Sequence, residues 1–230
     1  MSDTKPIVMK FAIVLSGCGV YDGAEIHEAT LTMLAIAKKG GTYEIFAPDV
    51  RQHHVINHIT GEVMDENRNV LVESARIARG KISALDSYNP ADFDAFILPG
   101  GFGVAKNLCS YAFDGASCRV DNVVERALID THRAGKPIGA LCISPVLIAK
   151  VIREVDVTIG DDEATAMHIE EMGAVHIKTG NREVVVDTAN RIVSNPCYML
   201  DASIVDIAMG AENVINAIID LDREAHQTPG

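Results

Sequence analysis

The sequence has no tryptophan, and aromatic residues make up only 5% of its 230 residues. Aliphatic side chains and alanine must therefore fill the core, and 48% of the residues are hydrophobic, which is ample for one well-buried core. Such cores are typical of α/β proteins, whose buried parallel strands are rich in valine, isoleucine and leucine. A chain of this length most often forms one domain, and we expect one over residues 1–230.

Basic residues are also scarce, since 20 Lys and Arg stand against 32 Asp and Glu and give a net charge of −12. Such a chain repels polyanions, so we expect neither a nucleic-acid partner nor binding to an anionic membrane surface. The N-terminus shows no signal-peptide pattern, and no apolar run is long enough to cross a bilayer.

The cysteines are odd in number and lack CxxC spacing, which favours free thiols in a reducing compartment over disulfides or a zinc site. They are Cys18, Cys109, Cys118, Cys142 and Cys197. The expected location is the cytoplasm. His54 and His58 have i, i+4 spacing but no evident third ligand, so no metal is expected.

Predicted strands and helices alternate along the chain. The strands are 11–15, 43–47, 93–98, 137–141 and 156–159, and the helices are 24–39, 69–79, 120–134, 144–152, 162–172 and 202–222. This order predicts a flavodoxin-like three-layer α/β sandwich, with a mostly parallel sheet and helices on both faces. A late hairpin of strands 183–187 and 191–194 predicts an antiparallel edge. Ligands of such sheets bind outside the carboxyl ends of the strands.

One predicted strand ends at Cys142, and a helix follows at once with Pro145 in its first turn. A nucleophile elbow needs small residues two positions before and after the nucleophile, and Ala140 and Ser144 satisfy this. The N-terminus of the helix is expected to lower the pKa of the Cys142 thiol. The alternative is that Cys142 is a small buried core residue.

A glycine pair, Gly100-Gly101, follows the neighbouring strand and is predicted to reach the same crevice. Glycines there let backbone N–H groups point at a developing oxyanion, and Gly101 and Ile143 are the expected donors. Lys106 and Asn107 follow this loop and are candidates for binding a substrate carboxylate. An equally weighted alternative is that Lys106 is a solvated surface residue with no role in binding.

Four blocks of sequence, 15–28, 55–62, 98–108 and 135–137, resemble the ElbB-type family, labelled as enhancing lycopene biosynthesis. This family belongs to the PfpI-type branch of the class I glutamine amidotransferase-like superfamily, and the similarity runs over nearly the whole chain. The resemblance implies a cofactor-free, homodimeric protein with an elbow cysteine and a glyoxalase-type activity on methylglyoxal.

In this superfamily a glutamate of the first helix touches the elbow cysteine, and Glu28 is the better match to it. Glu25 is a looser match, and its alternative role is that of an acid at the helix N-terminus. A carboxyl pressed against the thiol is expected to have a raised pKa. Related enzymes place a histidine base where this chain has Gly160, so His27 is the candidate substitute.

Two functions follow from these residues. In the first, Cys142 adds to a small carbonyl substrate, a 2-oxoaldehyde, and Glu28 or His27 moves a proton to give a 2-hydroxy acid without any cofactor. In the second, Cys142 is a non-catalytic sensor of oxidants or electrophiles. The pair His168–Glu170 superficially matches a glutaminase motif, but it comes too soon after the elbow, and a glutamine amidotransferase is disfavoured.

Overall fold

The computed structural model describes residues 8–227. The strands are β1 (Lys10–Val14), β2 (Thr42–Ala47), β3 (Ser83–Ala84), β4 (Ala95–Leu98), β5 (Ile138–Leu141), β6 (Asp156–Val157), β7 (Val175–His176), β8 (Val185–Asp187) and β9 (Ile192–Asn195). The helices are α1 (Ile26–Lys38), α2 (Val70–Ile77), α3 (Tyr111–Asp114), α4 (Asn122–Arg133), α5 (Pro145–Val151), α6 (Glu163–Glu171) and α7 (Ile204–Gln227).

Seven of these strands form one sheet in the order β3-β2-β1-β4-β5-β9-β8. Every neighbouring pair is parallel except β8 and β9 at the edge, which are antiparallel. The predicted flavodoxin-like fold with a late antiparallel hairpin is therefore confirmed.

Alternate residues of the strands face two separate hydrophobic clusters, as the period of two of a β-strand requires. In β4, Phe96 and Leu98 join a cluster that also contains residues of α4 and α5. Ala95 and Ile97 join a second cluster, which contains residues of α1 and α7. The sheet is thus the middle of three layers, and β1, β4 and β5 at its centre are apolar on both faces because both faces are covered.

The predicted strand 156–159 is too long, because only Asp156 and Val157 form a strand. Only β6 forms, and it pairs with β7 in a separate two-stranded sheet instead of extending the main one. The backbone N–H of Asp156 donates to a carboxylate oxygen of Asp187 at 3.0 Å, so a side chain of the edge strand β8 takes the place of a ladder bond. Local sequence patterns predict a strand but not the partner that it finds.

Within residues 8–227, no helix combines the length and the apolar character that crossing a membrane requires.

Candidate active site

Cys142 directly follows β5 and adopts the left-handed backbone conformation, with φ of +60°. Its N–H donates to the carbonyl oxygen of Asn195 at 2.9 Å, which continues the pairing of β5 with β9. The Ser144 hydroxyl donates to the carbonyl oxygen of Pro99 at 2.9 Å and ties the turn to the end of β4. A non-glycine residue held in this conformation costs about 1–3 kcal/mol, which is typical of the tight strand-to-helix turn of a nucleophile elbow.

The backbone N–H groups of Gly101 and Ile143 both hydrogen-bond the Cys142 sulfur. These are the two amides predicted as oxyanion donors, and they come from the loops that follow β4 and β5. The preceding glycine, Gly100, lies against the side chains of the pair: a Cβ atom on it would stand 2.3 Å from the Cβ of Cys142 and 2.7 Å from Oε2 of Glu28. A glycine is therefore required for this approach.

Glu28 is fully buried on α1, and its carboxyl hydrogen-bonds the Cys142 side chain. Its Oε2 accepts the N–H of Gly100 at 2.9 Å, and its Oε1 accepts the N–H of Tyr198 at 3.3 Å. Burial, followed by the negative charge of Glu25, raises the pKa of Glu28 to about 8. At pH 7 this carboxyl therefore holds its proton.

The predicted low pKa of Cys142 is wrong. Burial, and then the charge of Glu28, raises the pKa of this thiol well above its ordinary value, while the amides of Gly101 and Ile143 act in the opposite direction. The side chain is only 7% exposed, so loss of hydration outweighs these two hydrogen bonds and the short helix α5. At pH 7 the Cys142–Glu28 pair thus holds both protons.

Alkylation of Cys142 by iodoacetamide is expected to be slow at pH 7 and to rise steadily with pH to beyond pH 9. Only the thiolate reacts, and a raised pKa makes it scarce near neutrality. The measurement is the alkylation rate of the Cys142 peptide by mass spectrometry, with Cys142→Ala giving the background from the other thiols. A plateau reached below pH 7 would contradict the raised pKa.

Glu25 is the N-cap residue of α1, and its Oε2 accepts the N–H of Glu28 at 2.7 Å. This is the helix-terminal role that the sequence offered as its alternative. His27 points outward, and its side chain is 51% exposed. Its Nδ1 lies 2.9 Å from the hydroxyl of Tyr198, whose N–H binds Glu28, so His27 is linked to the pair through Tyr198.

A histidine at Gly160, which the family resemblance would place there, would be strained and crowded. The φ of Gly160 is +91°, and a Cβ atom there would lie 2.8 Å from Leu200 and 3.1 Å from Pro196. The left-handed backbone and the contacts with Leu200 and Pro196 thus favour glycine over histidine at this position. His168, on α6, is half-buried with its Nδ1 3.0 Å from the hydroxyl of Tyr111.

Lys106 lies in a single π-helical turn, Val104–Leu108, after the glycine loop. Its Nζ donates to the carbonyl oxygen of Tyr21 at 3.0 Å and sits 5.1 Å from the centre of the Phe102 ring. These residues and His58 line an open cavity of about 390 Å³. The lysine therefore lies on the wall of a cavity that also includes Phe102, the residue after Gly101.

The substrate-binding role predicted for Asn107 is not supported by its contacts. Its Nδ2 donates to the carbonyl oxygens of Ser16 and Asp22, both at 2.9 Å, and its Oδ1 accepts the N–H of His53 at 2.9 Å. Both amide hydrogens are thus used, and Asn107 instead holds three loops together.

Sequence analysis missed the segment after β9. Cys197 is fully buried with φ of +43°, and its N–H and thiol both donate to Oδ1 of Asn195, at 2.9 and 3.0 Å. This turn delivers the N–H of Tyr198 to Glu28. The signal that was available is the Asn195-Pro196 dipeptide directly after a strand, which marks a turn at the carboxyl end of the sheet.

Within the described part of the chain, no group of three or more His, Cys, Asp or Glu side chains is placed to hold a metal ion.

No family model matches the chain. It is 46% identical over 222 residues to the glutamine amidotransferase-like class 1 domain-containing protein 3, mitochondrial, of Homo sapiens, a match that covers 92% of this chain and 83% of that protein. It is also 46% identical over 222 residues to the ES1 protein homolog, mitochondrial, of Rattus norvegicus, covering 92% of this chain and 84% of that protein.

Among solved structures, an isoprenoid biosynthesis protein with an amidotransferase-like domain from Ehrlichia chaffeensis superposes with a TM-score of 0.86 at 36% identity, over 92% of this chain and 99% of that one. Glyoxalase III from Candida albicans superposes with a TM-score of 0.58 at 17% identity, over 91% of this chain and 97% of that one. The second likeness shows the fold alone.

The expected cytoplasmic location is wrong, because the curated relatives are named as mitochondrial proteins. Free cysteines indicate only a reducing compartment and do not distinguish one such compartment from another.

The extent of the match to the human and rat proteins, together with the cysteine elbow at the carboxyl end of a parallel sheet, shows that this chain belongs to the class I glutamine amidotransferase-like family that includes the ES1 proteins.

Proposed function

We propose that this protein is a cofactor-independent glyoxalase-type enzyme that converts a small 2-oxoaldehyde, such as methylglyoxal, to a 2-hydroxy acid. The observation that supports it is the buried Glu28 carboxyl hydrogen-bonded to the Cys142 thiol, with two backbone amides on the sulfur. Assignment to the ElbB-type branch, a single-domain chain and a homodimer are parts of the same proposal.

In the first step the Cys142 sulfur attacks the aldehyde carbon. The ionised Glu28 carboxylate takes the thiol proton, and the new alkoxide accepts hydrogen bonds from the N–H groups of Gly101 and Ile143. Glu28 then returns the proton to that oxygen and leaves a neutral hemithioacetal. The carboxylate is the reactive form of Glu28 in this step.

In the second step Glu28 removes the proton from the former aldehyde carbon and delivers it to the neighbouring carbonyl carbon. The hydroxyl proton of the first carbon passes to the oxygen of the second carbon, so that the first oxygen becomes a carbonyl and the second a hydroxyl. The first carbon is oxidised to a thioester and the second is reduced to an alcohol, so no external electron acceptor is needed. Water then cleaves the thioester and releases the 2-hydroxy acid and the Cys142 thiol. His27, linked to the site through Tyr198, is the alternative base for the carbon proton.

The sensor function is less well supported than the enzymatic one. Peroxides and electrophiles react with thiolates, and the raised pKa of Cys142 disfavours a thiolate at neutral pH. The enzymatic function does not need a resting thiolate, because the ionised fraction of Glu28, which is about one tenth at pH 7 and grows with pH, takes the thiol proton while the substrate is attacked.

The test is the conversion of methylglyoxal to lactate by protein dialysed against EDTA, followed by NMR. Cys142→Ala is expected to lower the rate by about 10³-fold or more, as removal of a nucleophile does. Cys18→Ala is the matched control, since this half-buried thiol lies near Glu73 and Arg76, and it should retain the activity of the native chain. Equal rates for the native chain and Cys142→Ala would refute the proposal.

A further inference from the structure

A pair of thiols, Cys109 and Cys118, lies outside the candidate active site, in the segment after the π-helical turn. Cys109 forms an antiparallel bridge with Val120, and the N–H of Ser110 donates to the carbonyl oxygen of Arg119 at 2.9 Å. The N–H of Arg119 in turn donates to the Ser110 hydroxyl at 2.9 Å. This pairing folds the chain back on itself and brings the side chains of Cys109 and Cys118 together, so that the two thiols hydrogen-bond each other.

Both thiols are shielded from bulk water, with Cys109 5% and Cys118 2% exposed. Cys109 nevertheless lines an open cavity of about 520 Å³, whose walls include Phe113 and Arg119. The cavity brings a small polar oxidant to Cys109 and to Arg119, the residue next to Cys118, while larger reagents meet mostly covered sulfur.

The two thiols differ in their ionisation. The hydrogen bond from Cys109, and then the positive charge of Lys150, lowers the pKa of Cys118 to about 7. The Lys150 Nζ is held beside it by donating to the carbonyl oxygen of Ala116 at 2.8 Å. The hydrogen bond to Cys118, and then burial, raises the pKa of Cys109, whose thiol also lies 3.3 Å from the carbonyl oxygen of Val104. One thiolate next to one thiol is the arrangement from which disulfides form.

We propose that Cys109 and Cys118 are a redox modification site that closes to an intramolecular disulfide when the protein meets hydrogen peroxide or another hydroperoxide. The Cys118 thiolate attacks the peroxide, breaks the O–O bond and becomes a sulfenic acid, with the leaving oxygen protonated to water or an alcohol. The Cys109 sulfur then displaces the sulfenic oxygen as a second water. Two thiols are oxidised and one peroxide is reduced, and a dithiol reductant reverses the change.

This modification site does not depend on the proposed enzymatic function, because neither thiol takes part in the Cys142 chemistry. It is connected to that site through the chain, however. Cys109 directly follows the π-helical turn, which itself begins three residues after Gly101, and Lys150 lies on α5, which begins just after the Cys142 elbow.

The experiment treats the reduced full-length protein with equimolar hydrogen peroxide at pH 7, removes the peroxide, and then alkylates the remaining thiols in denaturant, so that buried thiols are also labelled. Trypsin cleaves after Lys106 and Arg119, so residues 107–119 are released as one peptide that holds both cysteines. We expect this peptide to lose two hydrogens in mass and to escape alkylation, and reduction should restore both thiols. Cys118 should react about tenfold or more faster than Cys18, which is more exposed but has a raised pKa.

Three variants make the result specific. Cys142→Ser should form the disulfide at the native rate. Cys109→Ser should stop at a Cys118 sulfenic acid that dimedone traps, and Cys118→Ser should leave Cys109 reduced. The proposal is overturned if the 107–119 peptide stays fully alkylated while other thiols are oxidised, or if it is crosslinked only after denaturation. It is also overturned if Cys142→Ser abolishes the crosslink.

Discussion

Replacing Glu28 by glutamine is expected to lower kcat/KM for methylglyoxal by about 10²- to 10⁴-fold, the usual contribution of a positioned acid–base group. Glutamine keeps the size of the side chain and one carbonyl oxygen for the N–H of Gly100, but it cannot accept or return a proton. This result rests on the proposed function, because Glu28 is there the group that moves both the thiol proton and the carbon proton.

On the proposed mechanism the native protein should also show a kcat/KM that rises with pH through about pH 8, since the carboxylate form of Glu28 is there the reactive one and the pKa of Glu28 is about 8. The measurement is initial rates between pH 6 and pH 9. A rate that falls over this range would show that the protonated carboxyl, rather than the carboxylate, is needed.

The same substitution tests the buried acid without any assumption about catalysis. Below pH 4.5, the ordinary pKa of a glutamate, the Glu28 carboxyl is protonated in both the folded and the unfolded chain. Above it the unfolded chain releases the proton while the folded chain keeps it up to about pH 8. The contribution of the Glu28 proton to stability is therefore full at low pH and is lost as the pH rises through this window.

Between pH 5 and pH 8 this effect removes up to about 4 kcal/mol from the free energy of unfolding of the native chain, and Glu28→Gln should not show that loss. The measurement is urea-induced unfolding at three pH values across the window. Glu44→Gln, at an exposed position on β2 beside Lys10, is the matched control and should follow the native chain within about 0.5 kcal/mol. If Glu28→Gln and Glu44→Gln show the same pH dependence, Glu28 is not protonated in the folded state.

Several parts of the fold could be read from the sequence because they rest on local patterns. The alternation of strands and helices gives a parallel sheet, and the apolar runs of β1, β4 and β5 place those strands at its centre. The elbow is local in the same way, since the small residues around Cys142 permit the turn and Pro145 begins the helix.

What the sequence did not reveal depends on residues that are distant along the chain. The pKa of Cys142 is raised because elements distant in sequence bury the thiol. The local pattern shows only the N-terminus of α5, which lowers a thiol pKa, so it led to the wrong direction of the shift. Asn107 looked available because its three backbone partners lie in other loops. The contact of Tyr198 with Glu28 is of the same kind, because it needs the left-handed turn at Cys197.

The steric requirement at Gly100 gives the second large effect. In Gly100→Ala the new Cβ atom would meet the Cβ of Cys142 at 2.3 Å, its sulfur at 3.0 Å and Oε2 of Glu28 at 2.7 Å. All three atoms belong to buried side chains, so the methyl group must displace the sulfur, the carboxyl or the loop itself. We expect the free energy of unfolding to fall by about 3 kcal/mol, as overpacking of a core does.

Because the displaced atoms are those of the proposed catalytic pair, Gly100→Ala should also lower methylglyoxal turnover by about 10²-fold in the fraction that remains folded, since reacting groups tolerate little misplacement.

Gly180→Ala is the matched control: the glycine is exposed, and its nearest contact for a Cβ atom is a carboxylate oxygen of Glu183 at 3.4 Å. Urea-induced unfolding and turnover are measured on both variants at 25 °C. Equal stability of the two would contradict the tight packing of Gly100 against Cys142 and Glu28. If instead the two variants differ in stability but not in turnover, the packing at Gly100 does not control the chemistry. Such a result would mean that Cys142 and Glu28 react equally well after their geometry has been disturbed.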